Sequence, residues 1–296
     1  MVDNRILGIS RANKFSPNHI GNDSAIFNLT CQSLREMGLD VVIVDEDQFL
    51  ETDFDIKYIF SMSRSVKAIE KLKTLEKKGC KVVNSAFGNE NCCRERMTTL
   101  LIDNRIPHPK SFILETQEKI ESYISKKDFK PCWIKRGDFH AIHREDVSYV
   151  RNIEEADSII NEYRLRGINR AVINEHLFGD LVKFYGVANT NFFYWFYPFD
   201  ANHSKFGLEE INGPSKGLKF DISKMQKICN DAADVLNVKV YGGDCIVGED
   251  GNIRIIDFND WPSFAPCRNE AAPFIAKSIV INTIGENVLK NTVKMK

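Results

Sequence analysis

Three oxygen-bearing side chains near the end of the chain have types and a spacing that suit a metal ion. Two β-branched, apolar runs flank Asp250-Gly251, a dipeptide typical of a two-residue hairpin turn in which both central residues have positive φ. With that turn, Val247 pairs with Arg254 and Asp244 pairs with Asp257. Directly opposed residues have Cβ atoms about 4.5 to 5.5 Å apart, so the two carboxylates would face each other.

Facing carboxylates repel each other unless a cation or a shared proton lies between them, and a divalent cation is the simplest neutraliser. Asn259, two residues beyond Asp257, projects from the same face of the strand and supplies a third oxygen. A few protein oxygens with open positions suit Mg2+, which keeps waters and takes phosphate oxygens. The hairpin therefore indicates a platform for a metal and a nucleotide. As ordinary surface residues, Asp244 and Asp257 would fit this stretch equally well.

The composition excludes several classes of partner. The chain has 296 residues, of which 43% are apolar, which is ample for one large domain or two to three small ones. Forty basic and 41 acidic residues give a net charge of -1, so no overall field points to nucleic acid or to a membrane surface. No apolar run approaches the roughly 20 residues of a membrane span, and the N-terminus lacks the layout of a signal peptide. We therefore expect a cytoplasmic protein with small-molecule partners.

Short apolar strands alternate with helical segments in the first third of the chain. This alternation predicts a parallel sheet covered on both faces, an α/β domain over residues 1–106. Ile106-Pro-His-Pro109 stops the preceding helix and marks a domain boundary. The strands and helices that follow, among them a helix near 116–126, predict an α+β lobe over 107–180. Long strands, a helix and the hairpin form a C-terminal lobe over 181–296.

The loops at the carboxyl ends of the parallel strands are where such an α/β domain binds a ligand. The candidates there for touching a substrate are His19, Asn22 and Arg64. Each also has a plainer interpretation. His19 would be a loop residue, Asn22 a helix N-cap and Arg64 a solvated charge, and the frequency of Asn at N-caps favours the plainer interpretation for Asn22.

Several short motifs follow one another along the chain in an informative order. They are Val83-Asn-Ser85, Arg94-Glu-Arg96, Ile106-Pro-His-Pro109, Trp133-Ile-Lys135, the stretch from Glu175 to Lys183, Gly243-Asp244 and Asp257-Phe-Asn259. Each is weak alone, but the ordered set resembles the ATP-grasp superfamily over nearly the whole chain. The resemblance implies a pre-ATP-grasp α/β domain followed by two lobes that clamp ATP between them.

The resemblance also implies roles for individual residues. Lys135 would meet the nucleotide phosphates, Glu175 the ribose, and the three hairpin side chains would hold Mg2+. Arg96 is expected at the nucleotide, where many relatives carry the lysine of an Asp-Lys pair. Lys183 matches a position where relatives place a basic residue near the phosphates or the acceptor. These residue types suit the roles, since a lysine is a point charge for phosphate and a carboxylate accepts ribose hydroxyls. ATP and Mg2+ are therefore the expected cofactors.

The segment after Lys135 departs from the family pattern. Most relatives have a glycine-rich flap here, whose backbone N–H groups cover the phosphates, whereas this chain has Arg136-Gly-Asp-Phe-His140-Ala-Ile-His143-Arg144. With a single glycine, side chains such as His140 are expected to supply donors to phosphate instead. This feature resembles the inositol phosphate kinases of the same superfamily. An exposed, half-charged loop is an equally weighted alternative.

Two classes of function follow from the resemblance. The first is a carboxylate-amine ligase that forms an acyl phosphate on a small molecule or peptide, with Lys183, Lys205 and Arg268 around the transferring group. The second is a kinase that phosphorylates a hydroxyl of a polyanionic small molecule such as an inositol phosphate, which the histidines after Lys135 favour. A nucleotide-binding protein without turnover is a further alternative, which the set of Asp244, Asp257 and Asn259 disfavours, and a structural protein would not need that set. Neither function involves nucleic acid or a membrane, and a homodimer is compatible with both.

Overall fold

The computed structural model describes residues 4–15, 20–138, 144–199 and 211–285. Within these ranges the backbone forms three four-stranded sheets and eight α-helices. One sheet is parallel and two are antiparallel, so the predicted combination of an α/β part with α+β lobes is confirmed. The exact domain limits proposed from the sequence stay predictions.

The first sheet is parallel and is covered by helices on both faces. Its strands are β1 Arg5–Ile9, β2 Asp40–Val44, β3 Tyr58–Ser61 and β4 Lys81–Val83, and its helices are α1 Ile20–Glu36, α2 Glu46–Glu51, α3 Val66–Lys77 and α4 Ala86–Asn91. The strand order is β2-β1-β3-β4. In β1, Ile6 faces a core that includes α1, whereas Leu7 faces a core that includes α2 and α3. Burial on both faces explains why this strand is continuously apolar.

The second sheet is antiparallel and follows the proline-rich boundary. It consists of β5 Ser111–Glu115, β6 Cys132–Arg136, β7 Val147–Val150 and β8 Arg170–Glu175, and α6 Ile153–Leu165 packs on it. The strand order is β5-β8-β6-β7. We call this sheet with α6 the small lobe. Within the described ranges its core, which includes Ile134 and Ile160, takes no residue from the other two sheets.

The prediction of a helix over residues 116–126 is wrong. Two short 3-10 turns, Ile120–Ser122 and Lys126–Asp128, stand in this part of the chain. In this fully described stretch Ile120 is the one apolar side chain that is completely buried. A single buried contact does not form the apolar stripe that stabilises a short helix.

The third sheet is antiparallel and carries the predicted hairpin. Its strands are β9 Asp180–Val187, β10 Phe193–Phe196, β11 Val240–Val247 and β12 Ile253–Asp260, and the remaining helices are α5 Arg94–Asp103, α7 Ile222–Leu236 and α8 Arg268–Thr283. The strand order is β10-β9-β11-β12. One face packs on α5 and α7. The other face packs on α8 and joins the core around α1, so this sheet and the parallel sheet share a core.

The hairpin turn is one residue longer than the sequence predicted. It runs from Gly248 to Gly251, and the Gly251 N–H donates to the Gly248 carbonyl at 2.9 Å. Gly251, with φ of 71°, is the residue of this turn that has positive φ. Val247 consequently pairs with Ile253 instead of Arg254, so the predicted two-residue turn is wrong.

A β-bulge in β12 nevertheless restores the predicted pairing farther from the turn. Ile256 has no cross-strand partner in β11, and the register shifts by one residue between Cys245 and Asp244. Asp244 therefore faces Asp257, as the sequence predicted. The extra residue of the turn and the extra residue of the bulge cancel each other.

Gly243 lies beside the paired aspartates and has no room for a side chain. A Cβ at this position would lie 2.2 Å from the Asp257 carbonyl oxygen and 2.7 Å from the Phe184 ring. We expect Gly243→Ala to lower the free energy of unfolding by about 1 to 3 kcal/mol, because the strands must move apart to admit the methyl group. Chemical denaturation measures the change. Gly21→Ala is the control, since a Cβ there meets nothing within 4 Å, and equal losses in the two variants would contradict the packing argument.

Candidate functional site

Four charged side chains, two basic and two acidic, meet at the third sheet. Asp244 on β11 lies opposite both Lys183 on β9 and Asp257 on β12, and opposed residues share one face of a sheet. The Lys183 Nζ donates to Asp244 Oδ1 at 2.9 Å, and a guanidinium nitrogen of Arg94 lies 3.3 Å from Asp257 Oδ1. We call Lys183, Asp244, Asp257 and Arg94 the charge row. Each aspartate has a cation beside it, which offsets the repulsion between the carboxylates.

Asn259 completes a set of oxygen donors at the charge row. Its Nδ2 donates to Asp257 Oδ2 at 3.2 Å, so the amide lies next to the paired carboxylates. We call Asp244, Asp257 and Asn259 the oxygen set. In the part of the chain that the structure describes, no three or more His, Cys, Asp or Glu side chains form a metal cage. Two carboxylates and an amide leave positions open for waters and phosphate oxygens, so these residues fit Mg2+.

Lys135 is buried, and nearby negative charge only partly offsets the loss of water around its ammonium group. Its Nζ donates to the Ile256 carbonyl at 3.0 Å, at the bulge of β12, and so reaches from the small lobe to the third sheet. Burial, and next the charge of Arg94, lower the pKa of Lys135 to about 7, while Asp257 and Asp244 act to raise it. Burial acts to raise the pKa of Asp257, but Arg94 and Lys135 lower it by more. The site thus favours an ionised Asp257, and the two aspartates compensate the charge of Lys135 only in part.

Arg94 is a candidate that the motif interpretation missed. That interpretation selected Arg96, but the Arg96 side chain is 58% exposed and bonds to Glu90 at 2.7 Å. Arg94 is the first residue of α5 and is buried. It precedes the buried Met97 and Leu101 by three and seven residues, so it lies on the same helix face. This periodicity could have identified Arg94, and the geometry gives no support to the role predicted for Arg96.

The linker between the first two sheets is bonded to the strand that carries Asp257. The Ile255 N–H donates to the Pro107 carbonyl at 2.9 Å, and His108 Nδ1 lies 2.7 Å from the Ile255 carbonyl oxygen. Since a carbonyl oxygen is an acceptor, Nδ1 carries the proton of this bond. Burial, and next the charge of Lys135, lower the pKa of His108 to about 4, so the ring is neutral at pH 7. The linker therefore fixes β12 without adding charge to the site.

Glu175 ends β8 beside a group of rings. Its Oε1 accepts a bond from the Lys110 backbone N–H at 2.8 Å, which fixes the carboxylate at the edge of the small lobe. The adjacent rings, which we call the aromatic cluster, are Trp133, Tyr149, His176 and Phe178. The Trp133 indole donates to His176 Nδ1 at 3.1 Å, and burial lowers the pKa of His176. Phe178 is 81% exposed, so the cluster has an open apolar surface.

Candidates from the two ends of the chain meet at the loops after the parallel strands. The Arg268 guanidinium donates to Asn22 Oδ1 at 2.7 Å. Arg64 forms an ion pair with Asp260 at 2.7 Å, and its side chain is 11% exposed. Since α1 begins at Ile20, Asn22 lies inside the first turn of the helix. The plainer interpretations, an N-cap for Asn22 and a solvated charge for Arg64, therefore do not hold.

The structure places ten of the thirteen residues that the sequence selected. His19, His140 and Lys205 lie outside the described residues. Five selected residues lie together at the charge row: Lys135, Lys183, Asp244, Asp257 and Asn259. The other five contact residues outside that group, and they are Asn22, Arg64, Arg96, Glu175 and Arg268.

Comparison with solved structures identifies the fold. No family model and no curated protein matches the sequence. A D-alanine–D-alanine ligase from Bacillus anthracis, complexed with ATP, superposes with a TM-score of 0.65 at 14% identity, and 99% of each chain is covered. The ATP-grasp ligase PsnB, complexed with a minimal precursor, gives 0.59 at 15% identity, covering 95% of this chain and 100% of that one. A RimK domain ATP-grasp protein from Sphaerobacter thermophilus gives 0.65 at 14% identity, covering 93% of this chain and 99% of that one.

The chain has the ATP-grasp fold. In this fold the charge row draws residues from the C-terminal lobe and from α5, and Lys135 reaches it from the small lobe. The cluster therefore lies where three parts of the fold meet. Among the described residues, no helix combines the length and the apolar character that crossing a membrane requires.

The lowered pKa of Lys135 predicts how the stability of this protein depends on pH. A lysine whose pKa is lower in the folded chain opposes folding fully below the folded value, about 7, and the opposition declines as the pH rises toward the usual 10.5. We expect Lys135→Met to raise the melting temperature of the ligand-free protein, and by more near pH ~6 than near pH ~9. Calorimetry measures both gains. Lys119→Met, at an exposed position, is the control, and a gain independent of pH would contradict the assignment.

Proposed function

We propose that this protein is a Mg-ATP-dependent ligase that joins a carboxylate to an amine through an acyl phosphate. The observation that carries the proposal is the meeting of two buried cations, Arg94 and Lys135, with Asp257 and the rest of the charge row. Phosphate oxygens would neutralise the cations, and a divalent metal would neutralise the carboxylates. A metal-bound triphosphate meets both requirements at once.

Each part of the fold contributes to the nucleotide site in this proposal. Arg94 would bind phosphate oxygens through its planar fork, and Lys135 would act as a point charge. The oxygen set would hold Mg2+, which would neutralise phosphate charge when bound. Glu175 would accept a ribose hydroxyl, and the open surface of the aromatic cluster would pack on the adenine.

The proposed reaction has two steps, in which the chain positions groups and neutralises charge. A substrate carboxylate oxygen attacks the γ-phosphorus and ADP leaves; an amine nitrogen then attacks the acyl carbon, loses a proton and displaces inorganic phosphate. Lys183, held beside Asp244, would stabilise the transferring phosphoryl group. Arg268, held by Asn22, would bind the substrate carboxylate.

A kinase is the second candidate function. It would use the same nucleotide and metal residues, with a hydroxyl of a polyanionic small molecule as the acceptor. The feature that favours it is the run of histidines and arginines after Lys135, most of which lies outside the described residues. Two of the similar structures are ligases, which favours the first candidate.

Product analysis separates the two candidates. The purified protein is incubated with Mg-ATP and pooled metabolites, and the products are identified by mass spectrometry. ADP release that requires both a carboxylate and an amine, with a condensed product, supports the ligase. A stable product heavier by one phosphoryl group supports the kinase. A protein that neither binds Mg-ATP nor releases ADP with any acceptor would contradict both.

Arg94 and Arg96 provide a matched pair of variants on one helix. We expect Arg94→Gln to weaken Mg-ATP binding by about tenfold or more, because a charge-assisted hydrogen bond to phosphate is lost. Arg96→Gln removes an exposed charge and is expected to leave the Kd within about twofold of the parent value. Isothermal titration calorimetry measures both affinities, and melting curves check the fold. Equal effects of the two substitutions would contradict the placement of Arg94 at the phosphates.

A further inference from the structure

Helix α5 begins without a side chain that caps it. Its N-cap residue is Cys93, whose side chain makes no capping bond. The first backbone N–H groups of a helix have no partner inside the helix and need one from elsewhere. The Glu95 N–H donates to the Gly137 carbonyl at 3.0 Å, and Gly137 directly follows β6 of the small lobe. The small lobe therefore caps the start of α5.

The Glu95 side chain makes a second contact to the same lobe. Arg170, the first residue of β8, donates from two guanidinium nitrogens to the Glu95 carboxylate at 2.9 to 3.3 Å. The Gly137 N–H donates to the Arg170 carbonyl at 2.8 Å. Glu95, Gly137 and Arg170 thus form a closed ring of bonds, which we call the α5 latch. Arg170 also bonds to Glu115 at 2.9 Å, which fixes its guanidinium from the other side.

The α5 latch lies next to two cations that repel each other. Arg94 immediately precedes Glu95, and Lys135 lies two residues before Gly137. Both cations are buried, where the repulsion between like charges is stronger than in water. Arg94 also lies at the N-terminus of a helix, where the helix dipole disfavours a cation. Without a bound anion, Asp257 offsets part of this repulsion, and the latch supplies a further attraction that holds the two segments together.

We propose that Glu95 and Arg170 are positioning residues for the nucleotide phosphates. Their ion pair holds the start of α5 against the end of β6, so that Arg94 and Lys135 reach the same phosphate chain. Neither Glu95 nor Arg170 touches the nucleotide. This inference rests on the proposed nucleotide site. It adds to that site Glu95 and Arg170, which act by positioning Arg94 and Lys135.

A purely structural role for the pair makes a different prediction. If the ion pair only stabilised the fold, its loss would lower the melting temperature and would weaken the binding of every ligand of the site equally. A positioning role concerns the phosphates, because the two cations that the latch holds would contact that part of the ligand. The affinity for ATP should then fall while the affinity for adenosine, which has no phosphate, stays the same.

The test measures the affinities of the full chain for Mg-ATP and for adenosine in Glu95→Gln and Arg170→Gln. We expect each substitution to weaken Mg-ATP binding by about three- to tenfold and to leave adenosine binding within about twofold. The double variant should bind Mg-ATP no more weakly than the single variant with the lower affinity, because either single substitution already breaks the same ion pair. Arg170→Lys keeps the charge and should retain most of the affinity. Glu162→Gln, which breaks the pair between Glu162 in α6 and Arg166 directly after that helix, is the control.

The outcomes separate the latch from the nucleotide site itself. Unchanged Mg-ATP affinity in both single variants would overturn the positioning role and leave the nucleotide site standing. Equal losses for ATP and adenosine with a lower melting temperature would overturn it in favour of a structural role. If Glu95→Gln does not fold, Arg170→Gln breaks the same pair from the other lobe. A parent protein that binds no Mg-ATP would overturn the proposed function, and this inference with it.

Discussion

The pairing of each aspartate with a cation at the third sheet is the interaction on which the rest of the site depends. Lys183, Asp244, Asp257 and Arg94 carry two positive and two negative charges, so the charge row has no net charge, and Lys135 adds a positive charge beside it when it is protonated. When paired charges are partly buried, the attractions between them offset the free energy of desolvation. Removing one member of a pair leaves its neighbour buried without a partner, and the desolvation of that neighbour is then not offset. The surplus at Lys135 favours a ligand whose net charge is negative even with its metal. The fold must bring α5, β6, β9 and the hairpin together to build this arrangement.

The three parts of the fold are joined with very different strength. The parallel sheet and the C-terminal lobe share a core, and the Asn84 side chain bonds both the N–H and the carbonyl of Val240, as a neighbouring strand would. Arg64 adds the buried ion pair with Asp260. The small lobe has a core of its own and is attached by polar contacts at the linker, at Lys135 and at the α5 latch. Its orientation can therefore change without opening a hydrophobic core, and the nucleotide cations lie on the contacts that such a change would alter.

The sequence was sufficient for the fold class, which depends on apolar patterning and on the order of motifs, whereas the pairing of Asp244 with Asp257 was predicted from a turn that is one residue too short. It failed where tertiary contacts decide. The turn at Gly251 has one more residue than predicted, and the bulge at Ile256 compensates for it. The alternation of apolar and polar residues along a strand does not reveal such a bulge. The motif order pointed to Arg96, although helix spacing put Arg94 on the buried face. The roles of the site residues remain predictions.

The start of α5 shows how the assembly of the site can depend on the docking of a lobe. An N-cap Ser, Thr, Asp or Asn would stabilise the first turn of a helix by about 0.5 to 2 kcal/mol from within its own segment. Cys93 supplies no such bond, and the Glu95 amide obtains its partner from Gly137 in the small lobe. The first turn of α5, which carries Arg94, is therefore most stable when the small lobe is docked. The same docking brings Lys135 beside Arg94. The repulsion between these two cations therefore destabilises the docked state, and a bound phosphate chain would stabilise that state.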